Sequence, residues 1–159
     1  MTQERVRELF NYKDGRLYWK VRKACRVRVG NEAGTVDGRG YRHVGVDGER
    51  YKTHRLVYLY HHGELPRFLD HIDGDPSNNS IENLRPATSS QNNANCRVSK
   101  NNKCGFKGVS SNGKGFQARV EKNGEVYNLG TFATPEEAHE VYCAKALELF
   151  GEFANGGSE

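Results

Sequence analysis

No stretch of the 159-residue chain approaches the roughly 18 consecutive apolar residues that a membrane-spanning helix needs. The first ten residues are charged rather than an apolar leader, so a soluble, cytoplasmic protein with no membrane partner is expected. Paired-cysteine signatures are missing too. Cys25, Cys96, Cys104 and Cys143 form no C-x-x-C unit, which argues against zinc and against a thioredoxin-like site and leaves reduced thiols as the expectation. Apolar residues are also scarce, at 35% with a mean hydropathy of −0.85, against ~45–50% in ordinary globular domains. One large core is therefore excluded, and the length suits one ordinary domain or two very small ones. No internal repeat or low-complexity segment is present.

The net charge is only +4, but it is unevenly spread. Residues 1–69 hold 15 basic and 8 acidic side chains, while residues 70–98 hold 2 and 4. Two basic runs stand out, Lys13 to Arg28 and Arg97 to Arg119, the second containing Arg97, Lys100, Lys103, Lys107, Lys114 and Arg119 with no intervening acid. A lone charge run is usually a solvated face. Two of them, each with aromatic or amide neighbours, suit contact with a nucleic-acid backbone and its bases.

Residues 10–53 read as short strands broken by glycine turns, a meander platform with strands at Arg16 to Val21, Tyr41 to Val46 and Arg50 to Thr53. Asp-Gly at 14, 37 and 47 supplies the hairpin signals. Trp19 and Tyr18 are assigned to its core. From His54, the spacing of Leu56, Leu59 and Tyr60 predicts a helix ending at Gly63. Residues 96–105 lack apolar periodicity and read as a linker. Beyond it, three strands are expected near Gly105 to Ser110, Gly115 to Lys122 and Glu125 to Gly130, the last two joined by Asn123-Gly124. A helix follows, with Thr134 as N-cap, Pro135 at its first position, Glu137 completing a capping box, and Ala138, Tyr142, Ala146 and Leu149 as its apolar stripe.

The segment LDHIDGDPSNNSIENLRPATSSQNNAN, residues 69–95, is crowded with Asp, His and Asn. Turn chemistry accounts for Asp73, Gly74, Asp75, Asn78 and Asn79. It accounts less well for Asp70 and His71, adjacent in a predicted strand whose alternation sends their side chains to opposite faces. Leu84 to Ala87 can pair back as a second strand, and Thr88 or Ser89 can cap a short helix carrying Asn92. Asp70, His71, Asn83 and Asn92 in that order, with the stretch GYRHVGVDGERYKTHRLVYLYHHGELP before them, resemble the HNH nucleases of the phage and intron homing-endonuclease branch, which have a ββα-metal core.

The resemblance implies His71 as general base and Asp70 with the Asn92 carboxamide as oxygen ligands of one Mg²⁺ or Mn²⁺. It implies Asn83 as the brace of the loop and DNA as substrate. These roles are chemically coherent: an imidazole accepts a proton near neutrality, and hard oxygen donors suit a hydrated magnesium-type cation rather than zinc. Arg85 is a candidate phosphate clamp. His54 and Arg55 are secondary candidates for bracing the site or touching the scissile phosphate, while His43, His61, His62 and His139 are read as structural.

Residues 105–155 resemble the plant ethylene-response-factor type of DNA-binding domain on Phe106-Lys107-Gly108-Val109, Asn128-Leu129-Gly130-Thr131-Phe132 and the Pro135 to Asn155 helix. That resemblance implies a sheet face lying in the major groove and presenting Lys107, Gln117, Arg119 and Asn128. Ser110, Glu121, Val126 and Asn128 replace residues of the plant pattern, which predicts weak binding by this module alone. The expected fold is α+β: an N-terminal β-platform (1–53) and ββα-metal core (54–95) forming a nuclease domain, a linker (96–105), then a three-stranded antiparallel sheet on one helix (106–155). The expected protein is a site-specific, metal-dependent DNA endonuclease acting as a monomer or weak dimer on double-stranded DNA, in the cytoplasm of a bacterial or phage-infected cell. A DNA-binding regulator with a silent nuclease motif and a structure- or RNA-directed processing enzyme using the same metal chemistry are the alternatives.

Overall fold

The computed structural model describes residues 1–22 and 27–157 of the chain, so Cys25 and the middle of the first basic run lie outside the described residues. The fold is α+β, in two compact units, Met1–Pro86 and Ala87–Glu159. Among the described residues the helices and strands follow one another in this order. In the first unit these are α1 (Gln3–Leu9), β1 (Phe10–Lys13), β2 (Arg16–Trp19), β3 (Thr35–Val36), β4 (Arg42–Val46), β5 (Glu49–Lys52), α2 (Thr53–His62), β6 (Phe68–His71) and β7 (Leu84–Ala87), whose last residue opens the second unit. The second contains α3 (Ser89–Asn95), β8 (Val109–Ser111), β9 (Phe116–Lys122), β10 (Glu125–Phe132) and α4 (Pro135–Phe150).

In the first unit the platform is two antiparallel sheets, the β1–β2 hairpin and β3-β4-β5, rather than one meander. Asp14-Gly15 and Asp47-Gly48 both have positive φ, at 48° and 76° and at 50° and 87°, the conformation that two-residue hairpins require. Asp37-Gly38 behaves differently. The Asp37 carboxylate accepts from the N–H groups of Arg39 (2.8 Å) and Tyr41 (3.0 Å), which stretches the turn until Gly40 takes the positive φ of 87°. The charged N-terminal segment folds as α1, capped by the Thr2 hydroxyl accepting from Arg5 N–H at 3.3 Å and burying Val6 and Leu9. Helix α2 begins at Thr53 and stops at Gly63, whose φ of 77° provides the left-handed C-cap. Leu56, Val57 and Leu59 bury it against Phe10, Leu17 and Val44, with Trp19 in the same core and Tyr18 half-buried.

In the second unit β10, β9 and β8 lie in that order, all antiparallel, with Asn123-Gly124 as the β9–β10 turn at φ 54° and 85°. Helix α4 starts on the expected N-cap, Thr134 accepting from Glu137 N–H at 3.3 Å ahead of Pro135, which is the cap half of the expected box. Its buried stripe is Ala138, Tyr142, Ala146 and Phe150, and Leu149 is only half-buried. Ala118 and Val120 of β9 are buried in the same core, while Arg119 and Glu121 are exposed. A side chain at Gly108 (φ 73°) would overlap the Tyr142 ring, so backbone and aromatic meet directly there. Residues 96–105 belong to this unit and are locally bonded: the Asn102 amide donates to the carbonyls of Phe106 (2.6 Å) and Val109 (3.4 Å) and accepts from Cys104 N–H (2.9 Å). Cys96, Cys104 and Cys143 are free thiols.

Candidate active site

Strand β6 ends on Asp70-His71, and both side chains are buried, at 4% and 6% exposure. A buried charge needs a partner, and Asp70 has one: its Oδ2 accepts from Arg85 Nε on β7 at 3.0 Å, with both side chains largely withdrawn from solvent. Arg85 is thus an ion-pair partner of the candidate metal ligand rather than an exposed phosphate clamp. His71 Nε2 lies 3.1 Å from the Oδ1 of Asn79, which is itself only 4% exposed.

The loop between β6 and β7 closes on itself through side chains. Asn83 Oδ1 accepts from Asp73 N–H (3.1 Å), and its amide donates to Asp73 Oδ1 (2.9 Å) and to the Asn78 carbonyl (2.8 Å). Asp73 also accepts from the Asn78 amide at 2.7 Å and from Asp75 N–H at 2.8 Å. Burial pushes the Asp73 carboxyl up, but the Asp75 N–H and the Asn78 and Asn83 amides outweigh it and hold the group below the ordinary carboxylate range. Asp75 in turn accepts from the N–H and hydroxyl of Ser77, at 2.9 and 2.8 Å. Ile72 N–H to the Asn83 carbonyl, 2.9 Å, ties the loop's two ends together.

Behind His71 stands His54, its ring edge-on at 4.9 Å between centroids and 86° between planes. Tyr41 lies 5.8 Å from His54 and 6.2 Å from His71, with the Lys52 ammonium 4.2 Å from the Tyr41 ring centre. Burial, then the charges of His71, Lys52, Arg55 and His43, lower the His54 pKa to about 3. His54 is therefore neutral at physiological pH and packs edge-on against His71. Arg55 is spent on the backbone, donating to the carbonyls of Pro66 (3.1 Å) and Arg67 (3.3 Å). His43 pairs with Asp37 at 2.9 Å.

Asp70, His71, Asn83 and Arg85 thus come together in the first unit. Asn92 belongs to the second, half-buried on α3, a helix fixed by a reciprocal cap in which Thr88 accepts from Gln91 N–H (3.2 Å) and Gln91 accepts from Thr88 N–H (2.8 Å). Two members of the site carried no sequence signal beyond turn composition or strand position: Asn79 and Tyr41. On the sheet of the second unit Arg119 stands directly opposite Asn128, Gln117 opposite both Ser110 and Thr131, and Arg119 and Asn128 are exposed. Lys107 is turned inward instead, its ammonium donating to the carbonyls of Ala94 and Asn155. Arg97, Lys100 and Lys103 are exposed.

In the first unit Asp70 offers a buried carboxylate beside His71, and among the described residues no group of three or more His, Cys, Asp or Glu is arranged to hold a metal. A carboxylate is a hard oxygen donor, of the kind suited to a divalent magnesium-type ion rather than to a structural zinc. No helix among the described residues is long and apolar enough to cross a membrane.

Comparison with known proteins bears on this geometry. A family described as HNH endonuclease matches residues 51–94, from β5 through α3. The chain is 40% identical over 114 residues to the uncharacterized HNH endonuclease L560 of Acanthamoeba polyphaga mimivirus, covering 70% of this chain and 59% of that one. It is 31% identical over 107 residues to Protein 3.8 of Escherichia phage T7, covering 65% of this chain and 88% of the phage protein. YosQ of the SPbeta prophage of Bacillus subtilis (strain 168), named as a candidate HNH homing endonuclease, is 38% identical over 55 residues, 33% of this chain and 32% of its own. No solved structure matches. The segment that matches carries Asp70, His71, Asn83 and Asn92, and residues 51–94 of the chain form an HNH endonuclease domain.

Proposed function

We propose that the protein is a site-specific, divalent-metal-dependent DNA endonuclease of the homing type, with its nuclease domain in residues 1–95 and a DNA-binding domain in residues 106–155. The observation that carries this reading is the buried Asp70-His71 pair at the end of β6, fixed by Arg85 and by a loop bonded to itself through Asn83. His71 accepts a proton from water as its oxygen attacks phosphorus. The P–O3′ bond breaks with its electron pair on O3′, which takes a proton from solvent water to leave a 3′-hydroxyl opposite a 5′-phosphate. Asp70 and Asn92 would hold one Mg²⁺ or Mn²⁺, which when bound supplies positive charge for the phosphate and the departing oxygen. Asn83 keeps the β6–β7 loop closed.

The DNA contacts divide by chemistry. Exposed Arg97, Lys100 and Lys103 suit salt-sensitive phosphate binding, and Arg119, Asn128 and Gln117 on one sheet face suit base edges. The naming of YosQ as a candidate HNH homing endonuclease supports the homing assignment. One engagement cuts one strand, giving a nick, or a double cut through a dimer.

A second reading, a sequence-specific regulator with an inactive motif, has one observation in its favour: an arginine is bonded to the carboxylate that a cation would use. Supercoiled plasmid carrying the target, incubated with Mg²⁺ and with a chelator control, separates the two. The nuclease reading expects nicked or linear product lost with chelator and reduced at least ~100-fold in His71→Ala and Asn92→Ala. Tight binding with every plasmid intact supports the regulator.

A further inference from the structure

We propose that Asn79 is the positioning residue for His71, and that the N-terminal β1–β2 hairpin, outside the matched segment 51–94, holds Asn79 in place. The inference rests on the reading of His71 as the base. The Asn79 Nδ2 donates to the Ser77 carbonyl at 3.4 Å, which directs Oδ1 toward His71 Nε2 at 3.1 Å. A carboxamide oxygen only accepts, so that ring nitrogen carries the proton and the basicity of the neutral imidazole resides on the other one. Both side chains are buried, so the bond is not exchanged for water.

The backbone that presents Asn79 is set from outside the loop. A Cβ at Gly15, the second turn residue of the β1–β2 hairpin, would meet Ser80 N at 2.8 Å and Asn79 C at 3.0 Å. Backbone therefore packs on backbone at this point. Three residues before that glycine, the Tyr12 hydroxyl accepts from Ile81 N–H at 3.1 Å. The hairpin is itself anchored by Phe10, Leu17 and Trp19 in the core. Position 79 is thus gripped from its own side chain and from the neighbouring hairpin.

The test measures kcat and KM on plasmid carrying the target with Mg²⁺. Replacing an outer partner of a reacting group typically costs about 10–100-fold, and Asn79→Leu should lower kcat by that much with KM within about twofold. Asn79→Asp keeps an acceptor and should retain most of the rate. Gly15→Ala should lower kcat about tenfold, whereas Gly48→Ala, equally strained at φ 87° but facing nothing within 4 Å, should not. A folded Asn79→Leu cutting at the wild-type kcat, or Asn79→Asp failing as badly as Asn79→Leu, overturns the inference.

A readout without cleavage is the imidazole ¹H–¹⁵N spectrum. Wild-type His71 should hold a single tautomer protonated on Nε2, and Asn79→Leu should mix the two. A mixture in the wild type overturns the inference even if Asn79→Leu does not fold. An inert wild type with a fixed tautomer counts against the nuclease reading alone and leaves the positioning intact.

Discussion

The β6–β7 loop and the β9–β10 sheet draw on the same polar residue types and use them in opposite ways. In the loop, Asn79 is buried against a histidine and Asn83 bonds both to a carboxylate and to the backbone. On the sheet, Asn128 and Arg119 face each other across two strands, exposed, and among the described residues their side chains carry no hydrogen bond. A buried amide that is satisfied rigidifies what it touches, because leaving it unpaired costs ~1–3 kcal/mol. An exposed one is already satisfied by water and can exchange that water for a ligand at little cost. The first region is therefore built to hold a geometry, and the second to offer a surface.

The sharpest way to break this contrast is at Arg85. Removing one partner of a buried ion pair leaves the other charge stranded, at a cost of roughly 3–5 kcal/mol. Arg85→Met should lower the unfolding free energy by about that amount in urea titrations at pH 7. A loss near zero would mean that the Asp70–Arg85 pair, 3.0 Å apart and mostly withdrawn from solvent, is in effect hydrated.

A smaller effect comes from His54, whose pKa is about 3 in the folded protein because burial disfavours its charged form. An unfolded histidine titrates near ~6.5. Between those values the unfolded chain binds the extra proton, so this contribution is complete above ~6.5 and is lost as the pH falls toward the folded value. The slope is about 1.4 kcal/mol per pH unit at most, giving about 2 kcal/mol between pH 6.5 and 5. Unfolding free energies measured at pH 7, 6 and 5 should fall less steeply in His54→Phe than in the wild type. Parallel curves would show that His54 is solvated in the folded state.

The sequence made some of this architecture legible and hid the rest for identifiable reasons. Three X-Gly turns at 14, 47 and 123 demand positive φ in both positions, and all three hairpins form there. Asp37-Gly38 carried the same signal and did not form a two-residue turn, because its own carboxylate captured two backbone N–H groups. Helix α4 is readable from its cap and stripe, whereas α1 is not: its buried face is only Val6 and Leu9 in a charged segment. Asp70 and His71 were found from residue order. Their partners were not, since the Asn79 contact spans eight residues and the Arg85 contact fifteen, and neither follows a helix or strand period. Lys107 hides its role for a related reason: a lysine in a basic run gives no sign that two backbone carbonyls will claim its ammonium.

The smallest expected effect on stability is at the sheet, and it sharpens the comparison most. Gln117→Ala with Arg119→Ala removes two side chains from a face where neither supports the core, so the unfolding free energy should change by no more than about 0.5 kcal/mol. Each good base-edge contact gives about 1–3 kcal/mol of discrimination, so the double variant should cut a wider set of sequences while the rate on the bound target stays near that of the wild type. Cleavage-site sequencing on a random-insert plasmid library reads the change directly. An unaltered site distribution would mean that Arg119 and Asn128 form an ordinary solvated cross-strand pair, and that site choice is made by residues of the first unit.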